Sequence, residues 1–164
     1  MLDGASSLIH ATCIAVGDRA ALIVGPSGVG KSDLALRAIS TSVRDGDRTI
    51  CAMLVSDDQV LVERVEGRLR ARPPPSIAGR IEIRGIGIVP VAHLPLSHIC
   101  LAVEIGPDGE IARLPEPDAM LAVLGVGVPL IRLRPFEASA VVKLVLTLVR
   151  QGGGDAGAGA VRPT

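Results

Sequence analysis

Aromatic side chains are nearly absent from this 164-residue sequence, which has one Phe and neither Trp nor Tyr. Hydrophobic residues nevertheless make up 48% of the chain and charged residues 21%. This balance excludes an intrinsically disordered protein, and it predicts a core built from Val, Leu, Ile and Ala. The length fits one domain with a sizeable core and is too short for two ordinary domains.

Cysteine is also scarce, and its pattern excludes two kinds of site. Cys13, Cys51 and Cys100 each lie within an apolar run, and no CxxC pair occurs. An odd number of widely spaced cysteines argues against a disulfide framework and against a zinc site. We therefore expect three free thiols and a reducing, cytoplasmic location.

The sequence lacks an excess of charge of either sign and lacks a run long enough to cross a bilayer. Its formal net charge is +0, so no global field attracts nucleic acid or an anionic membrane. The longest apolar stretches, near residues 120–131 and 138–149, are shorter than a membrane span. The N-terminal residues show no basic segment of a signal peptide. We expect no nucleic-acid partner and no membrane.

Glycine, in contrast, is abundant, and one glycine-rich octet matches the phosphate-binding pattern G-x-x-x-x-G-K-[ST] without a mismatch. The octet comprises Gly25, Pro26, Ser27, Gly28, Val29, Gly30, Lys31 and Ser32. In such a loop the backbone N–H groups surround phosphate oxygens, the lysine reaches the outer phosphates and the Ser hydroxyl binds Mg²⁺. The sequence therefore predicts a site for ATP and Mg²⁺.

The flanking residues support this P-loop over a glycine-rich turn that matches by chance. An apolar run at residues 20–24 is typical of a buried strand, and residues 32–39 have helical spacing. The N-terminus of that helix then points at the bound anion.

Several other polar residues are candidates for the site. Asp57 and Asp58 end an apolar strand, where a P-loop enzyme places the acid that handles Mg²⁺, although a solvated turn is the alternative. Alternation along a strand would place the two carboxylates on opposite sides.

His10 is either catalytic or an ordinary core histidine. Glu82 and Arg84 share one face of a predicted strand and could form a simple surface ion pair. Arg132 and Arg134 could bind phosphate or coat the surface.

The remaining pattern predicts a sheet with many hairpins. We expect a strand region at 8–16 followed by a turn and the strand before the P-loop, a helix ending near 40–43, and a polar loop at 44–48. Further strands are expected at 50–55, 60–65, 69–71, 81–88, 99–105, 111–114 and 130–133, with a last helix at 138–150. Residues 107–109 are expected to turn a hairpin, and residues 151–164 to form a flexible Gly/Ala-rich tail after a domain at 1–150. The prediction is an α/β protein with a P-loop set in a mixed, hairpin-rich sheet.

Three blocks of this sequence resemble the catalytic domain of HPr kinase/phosphorylase, which phosphorylates a serine of the phosphocarrier HPr and removes the phosphate again. The blocks are residues 10–32, 55–60 and 81–88, and the resemblance extends over about residues 8–145. It implies a fold like that of phosphoenolpyruvate carboxykinase, an HPr-like substrate, a homo-oligomer that is commonly a hexamer, and a short form without the family's usual N-terminal domain.

The resemblance also implies roles for individual residues. Ser32 and Glu82 would bind Mg²⁺, and His10 and Lys31 would be active-site residues. Asp58 would accept the proton of the substrate serine, and would return a proton when phosphate attacks phosphoserine to give pyrophosphate. Asp57 would support it.

The sequence departs from the family where the family usually has Arg-Pro-Gly-Arg-Asn. Here it has Arg134, Pro135, Phe136, Glu137 and Ala138. The reverse reaction is therefore less expected than the kinase reaction. Two other functions stay open: a nucleotide-binding regulatory module without catalysis, and a P-loop kinase of a small metabolite.

Overall fold

The computed structural model describes residues 4–106 and 111–151. The strands of this part are β1 Ser6–His10, β2 Thr12–Val16, β3 Arg19–Val24, β4 Ser42–Asp45, β5 Arg48–Cys51, β6 Met53–Ser56, β7 Gln59–Val65, β8 Arg68–Arg72, β9 Arg80–Ile83, β10 Gly87–Pro90, β11 Ser97–Ile105, β12 Met120–Val123 and β13 Val126–Leu133. The helices are α1 Lys31–Ser40 and α2 Ala140–Gln151, with a short 3₁₀ turn at Pro75–Ile77.

One large, mixed and strongly curled sheet carries most of the strands. Its order is β1-β7-β8-β11-β3-β2-β6, and β13 joins β11 while β12 pairs with β13. The β3–β11 and β11–β13 pairs are parallel, and the other pairs of this sheet are antiparallel. Two separate hairpins, β4–β5 and β9–β10, complete the strands. The loop after β3 therefore lies between the β11–β13 side and the β2–β6 side.

The aliphatic core is divided between the two faces of the sheet because successive strand residues point to opposite faces. Ile14, Ala21 and Ile23 face one core, which includes Leu34 of α1 and Leu144 of α2. The alternate residues of β2 and β3 face a second core, together with residues of β7, β8 and β13. Both helices thus cover the same face of the sheet, and this fixes the start of α1 against the strand that precedes it.

Several predicted elements are confirmed. The hairpin before the P-loop is β2–β3, the helix after the loop ends at Ser40, β7–β8 is the second hairpin, and the last helix is α2. The three cysteines are free, with Cys13 buried and Cys51 exposed. Among residues 4–106 and 111–151, no helix has the length and apolar character needed to cross a membrane.

Other predicted elements are wrong in instructive ways. The polar segment at 44–48 is not a loop but the end of the β4–β5 hairpin, where Gly46 adopts a φ of 61° and lets the chain turn. The strand expected at 50–55 is divided at Ala52 into β5 and β6, which belong to different sheets. Residues 81–88 form the β9–β10 hairpin, since Gly85 (φ 84°) turns the chain after Arg84.

The C-terminal third also differs from the prediction. Residues 111–114 form no strand, and the expected hairpin turn at 107–109 lies outside the described residues. Strand β12 was not predicted, and β13 begins four residues before the predicted strand. Apart from Gln151, which ends α2, the predicted tail lies outside the described residues as well.

Candidate active site

The P-loop, residues 25–32, connects β3 to α1, and two of its glycines are required by close contacts. A Cβ on Gly25 would lie 2.2 Å from the carbonyl oxygen of Ile105, at the end of β11. Gly30 has a φ of 109°, and a Cβ there would lie 2.8 Å from Cζ of Phe136. Only glycine fits both the left-handed conformation and the space at position 30. The neighbouring strand and the 134–137 segment thus hold the loop in shape.

Lys31 is folded into the loop. Its side chain is 7% exposed, and Nζ donates hydrogen bonds to the carbonyl oxygens of Gly25 and Pro26, each at 2.8 Å. These acceptors satisfy a nearly buried ammonium group, which would otherwise be costly to desolvate. The arrangement places a positive charge at the N-terminus of α1, where an anion is stabilised.

Asp57 connects the P-loop to two other parts of the chain. Its Oδ1 accepts hydrogen bonds from Thr12 Oγ1 at 2.9 Å and Ser32 Oγ at 2.7 Å, and its Oδ2 accepts one from the backbone N–H of Glu82 at 3.4 Å. Asp57 is 5% exposed. These donors compensate for burial of the carboxylate and fix its orientation towards Ser32.

Asp58 is exposed where Asp57 is buried, although strand alternation is not the reason. Strand β6 ends at Ser56 and β7 begins at Gln59, so the two acids lie in the turn between them. The backbone N–H of Gln59 donates to the carbonyl oxygen of Asp57, and Asp58 has a φ of 66°. A γ-turn of this kind is rare and strained in a non-glycine residue, and such strain is concentrated at functional sites.

The turn brings Asp58 to the imidazole of His10. His10 Nδ1 lies 3.3 Å from Asp58 Oδ1, and His10 Nε2 lies 3.3 Å from Ser27 Oγ in the P-loop. The His10 side chain is 48% exposed, so it is not a core histidine. A continuous polar chain therefore runs from Asp58 through His10 to the P-loop.

These groups line one open cleft of about 710 Å³, which also contains the β9–β10 hairpin. Its lining residues are His10, Thr12, Ser27, Gly28, Gly30, Lys31, Ser32, Asp33, Leu36, Asp58, Glu82, Ile83, Arg84, Gly85, Ile86, Gly87 and Phe136. Glu82 is exposed on β9, and Arg84 lies in the turn after it; in the part of the chain that is described, the two form no ion pair with each other. The simple ion-pair alternative is therefore not observed.

Arg132 and Arg134 lie away from this cleft. Arg132 pairs with Glu104 at 2.7 Å and with Glu116 at 3.4 Å. Arg134 Nη1 lies 3.9 Å from Glu137 Oε1. Both arginines line a smaller cavity of about 310 Å³ on the side of the loop formed by Gly25.

The oxygen donors around Ser32 fit a magnesium ion bound together with a nucleotide. The Ser32 hydroxyl, the Asp57 carboxylate and the Glu82 carboxylate are hard oxygen donors of the kind Mg²⁺ prefers. Within residues 4–106 and 111–151, no cluster of three or more His, Cys, Asp or Glu side chains could hold a metal ion. Mg²⁺ in nucleotide sites is usually held by one or two carboxylates together with phosphate oxygens, and this donor set matches that pattern.

Two residues of the site were missed from the sequence. Thr12 is a polar residue at the start of the apolar, buried strand β2. Because a buried hydroxyl needs a hydrogen-bond partner, its position in the sequence indicated a polar contact such as the one with Asp57. Phe136 is the only aromatic residue of the chain, and its composition signal was not connected with the site.

A comparison with known families identifies the group to which this arrangement belongs. The family model described as the HPr Serine kinase C-terminal domain matches residues 4–151. The chain belongs to the HPr serine kinase family. The match covers every site residue described above, from His10 to Phe136.

Individual relatives agree with this assignment. The HPr kinase/phosphorylase of Clostridium perfringens is 34% identical over 146 residues, covering 82% of this chain and 45% of that protein. That of Clostridium beijerinckii is 32% identical over 130 residues, covering 73% and 40%. The solved structure of the Hpr(Ser) kinase/phosphatase from Coxiella burnetii has a TM-score of 0.68 at 26% identity, and the match covers 89% of this chain and 90% of that one. The chain spans less than half the length of these Clostridium relatives.

Proposed function

We propose that this chain is a Mg·ATP-dependent serine kinase that acts on an HPr-like phosphocarrier protein. One observation carries the proposal: the buried Asp57 carboxylate accepts a hydrogen bond from Ser32 of the P-loop, while the adjacent Asp58 lines the cleft beside His10. In a member of the HPr serine kinase family, this pair of acids separates metal binding from proton transfer.

The P-loop and Lys31 supply electrostatic stabilisation. On nucleotide binding, the Lys31 ammonium exchanges its carbonyl partners for phosphate oxygens and stabilises the charge that develops during transfer. Ser32, Asp57 and Glu82 would hold Mg²⁺, which would supply positive charge to neutralise the phosphates. Thr12 keeps the Asp57 carboxylate in place through its buried hydrogen bond.

Asp58 acts as the general base. It accepts the proton of the substrate serine as the serine oxygen forms its bond to the γ-phosphorus and the bond from that phosphorus to ADP breaks. His10 orients the Asp58 carboxylate from one ring nitrogen and contacts Ser27 with the other. The products are phosphoserine on the carrier and ADP.

The test is a phosphorylation assay with the purified chain, ATP, Mg²⁺ and the HPr-like carrier of the same organism. We expect phosphoserine on the carrier, and none when the Lys31→Ala protein replaces the wild type. If no phosphoserine forms although the wild-type protein binds Mg·ATP, the kinase proposal is wrong. ATP turnover without any protein substrate would instead indicate a metabolite kinase, and tight binding to a partner without turnover would indicate a regulatory module.

Further properties belong to the same proposal. Residues 1–150 act as one catalytic domain with a fold related to phosphoenolpyruvate carboxykinase. The enzyme works in the cytoplasm, without nucleic acid or membrane, as a homo-oligomer that is a hexamer by family resemblance. Light scattering of the purified chain tests the assembly, with a monomer as the contradicting result.

A further inference from the structure

Phe136 is a solvent-exposed aromatic residue at the edge of the cleft. Its side chain is 72% exposed, although it is the only aromatic residue in the chain. The ring lies against Gly30 of the P-loop, where a Cβ on that glycine would come within 2.8 Å of Cζ and 3.4 Å of Cε2. Phe136 and Gly30 both line the cleft. Water therefore covers most of a large apolar surface immediately beside the phosphate-binding loop.

Contacts on both sides of Phe136 hold this segment in place. Arg37 of α1 donates a hydrogen bond to the carbonyl oxygen of Pro135, and Arg37 is itself paired with Asp33 at 2.9 Å. On the other side, the Glu137 carboxylate lies 2.6 Å from Lys143 Nζ of α2. Because both helices anchor the backbone around it, the exposed ring keeps its position without being buried.

The sheet topology places Phe136 opposite to the catalytic acids. Phe136 follows β13 and reaches the P-loop from the β11–β13 side, whereas Asp57 and Asp58 follow β6 on the other side of β3 and β2. The transferred phosphoryl group must lie near Asp58. A triphosphate held by the loop therefore has its nucleoside end directed away from Asp58, towards Phe136 and Leu36.

We propose that Phe136 is the nucleobase-stacking residue of this site, an inference that rests on the nucleotide-dependent function proposed above. A flat ring that packs against Gly30 and is still 72% exposed leaves apolar area available to a planar base, and stacking removes apolar area of both partners from water. Stacking accepts any base because every base has a π-face. The site consequently binds ATP and GTP with similar affinity.

Replacement of the ring tests this directly by calorimetric binding of three probes, namely Mg·ATP, Mg·GTP and Mg·tripolyphosphate. We expect Phe136→Ala to weaken binding of both nucleotides by about tenfold, the loss typical of one base–aromatic stack, and to leave tripolyphosphate binding unchanged. Phe136→Trp should retain nucleotide affinity. Met120→Ala, which removes another exposed apolar side chain outside the cleft, is the matched control and should change nothing.

A fluorescence readout is available because the chain has no natural Trp or Tyr. In the Phe136→Trp protein the new indole is the sole tryptophan, and stacking on a base should quench its emission when Mg·ATP is added. Mg·tripolyphosphate should not quench it, and Mg·ATP should not quench the control Met120→Trp protein. Equal quenching by ATP and tripolyphosphate would show that the ring reports loop closure and does not stack.

The outcomes separate this inference from the proposed function. If the wild type binds Mg·ATP and Phe136→Ala binds it equally well, the stacking role is wrong and the kinase proposal is untouched. If Phe136→Ala weakens tripolyphosphate as much as ATP, the ring only supports the loop, and the inference again fails. If the predicted binding pattern holds while no phosphoserine forms on the carrier, stacking stands and the kinase proposal falls. A wild type that does not bind Mg·ATP overturns both.

Discussion

The floor and the rim of the cleft are built differently. The floor comprises the lining residues Thr12, Lys31 and Ser32, together with the buried Asp57, to which Thr12 and Ser32 donate hydrogen bonds. Its buried polar atoms have hydrogen-bond partners, and Thr12 and Asp57 are almost fully buried. The rim comprises His10, Asp58, Glu82 and Phe136, which are exposed. The difference indicates that the floor is organised before any ligand arrives, whereas the rim is free to meet substrates. Changes that remove the buried hydrogen bonds of Thr12 and Asp57 should therefore affect stability as well as activity, and changes in the rim activity alone.

The largest effect is expected at Lys31, the floor residue that carries the positive charge. Lys31→Ala should lower kinase activity by about 10³-fold or more, because the developing phosphoryl charge loses its nearest cation. Circular dichroism should barely change, since Lys31 belongs to neither hydrophobic core. Arg48→Ala, an exposed cation on the separate β4–β5 hairpin, is the control and should keep full activity. Near-wild-type turnover of Lys31→Ala would refute the P-loop assignment.

A large but smaller effect is expected at Asp58 on the rim. Asp58→Asn should reduce the rate by about 10²–10³-fold, because the amide cannot accept the serine proton. The melting temperature should stay unchanged, since the side chain is 69% exposed and Asn also tolerates a positive φ. The control is Asp47→Asn, at an exposed acid in the β4–β5 turn, and this variant should retain activity. A fully active Asp58→Asn protein would exclude Asp58 as the base.

The third prediction concerns the stability of the floor. Asp57→Asn should lower the free energy of unfolding by about 1–3 kcal/mol, because an amide offers one acceptor oxygen where Thr12, Ser32 and the Glu82 N–H require a carboxylate. Urea denaturation without nucleotide measures this. Asp58→Asn should change the same quantity by less than about 0.5 kcal/mol. Equal losses for both variants would remove the distinction between floor and rim.

The sequence was most informative where local chemistry determines local structure. The octet at 25–32 predicted a loop between a strand and a helix because its glycines, lysine and serine each have a defined geometric role. The apolar run before it and the helical spacing after it predicted β3 and α1. The resemblance then brought His10, Asp58 and Glu82 to one site, and the structure places all three in the same cleft.

The sequence was least informative where a turn or a distant contact decides the outcome. Residues 85–88 were expected to continue the alternating strand of residues 81–84, yet the chain turns at Gly85, which has a positive φ, and forms a hairpin. Opposite orientations of Asp57 and Asp58 were expected from strand alternation, but the two acids lie in a γ-turn. Pairing of Thr12 with Asp57 joins residues 45 positions apart, and only the assembled sheet brings them together.

The smallest and last effect concerns the direction of the reaction, at the edge of the rim. Phosphorolysis must hold inorganic phosphate beside phosphoserine, two anions that repel each other, and Glu137 stands where the family usually has an arginine. The hydrogen bond from Lys143 lowers the pKa of Glu137, so this carboxylate stays ionised through the neutral range. We therefore expect pyrophosphate release from phosphoserine-HPr and millimolar phosphate, without ATP, to be at least about tenfold slower than the forward reaction.

Glu137→Gln removes the negative charge and should raise the reverse rate by about two- to fivefold, while the forward rate stays constant. The factor is small because the carboxylate is solvated and its charge is screened. Comparable rates in the two directions for the wild type would show that Glu137 does not set the direction, or that Arg134, 3.9 Å from it, has taken the place of the missing arginine.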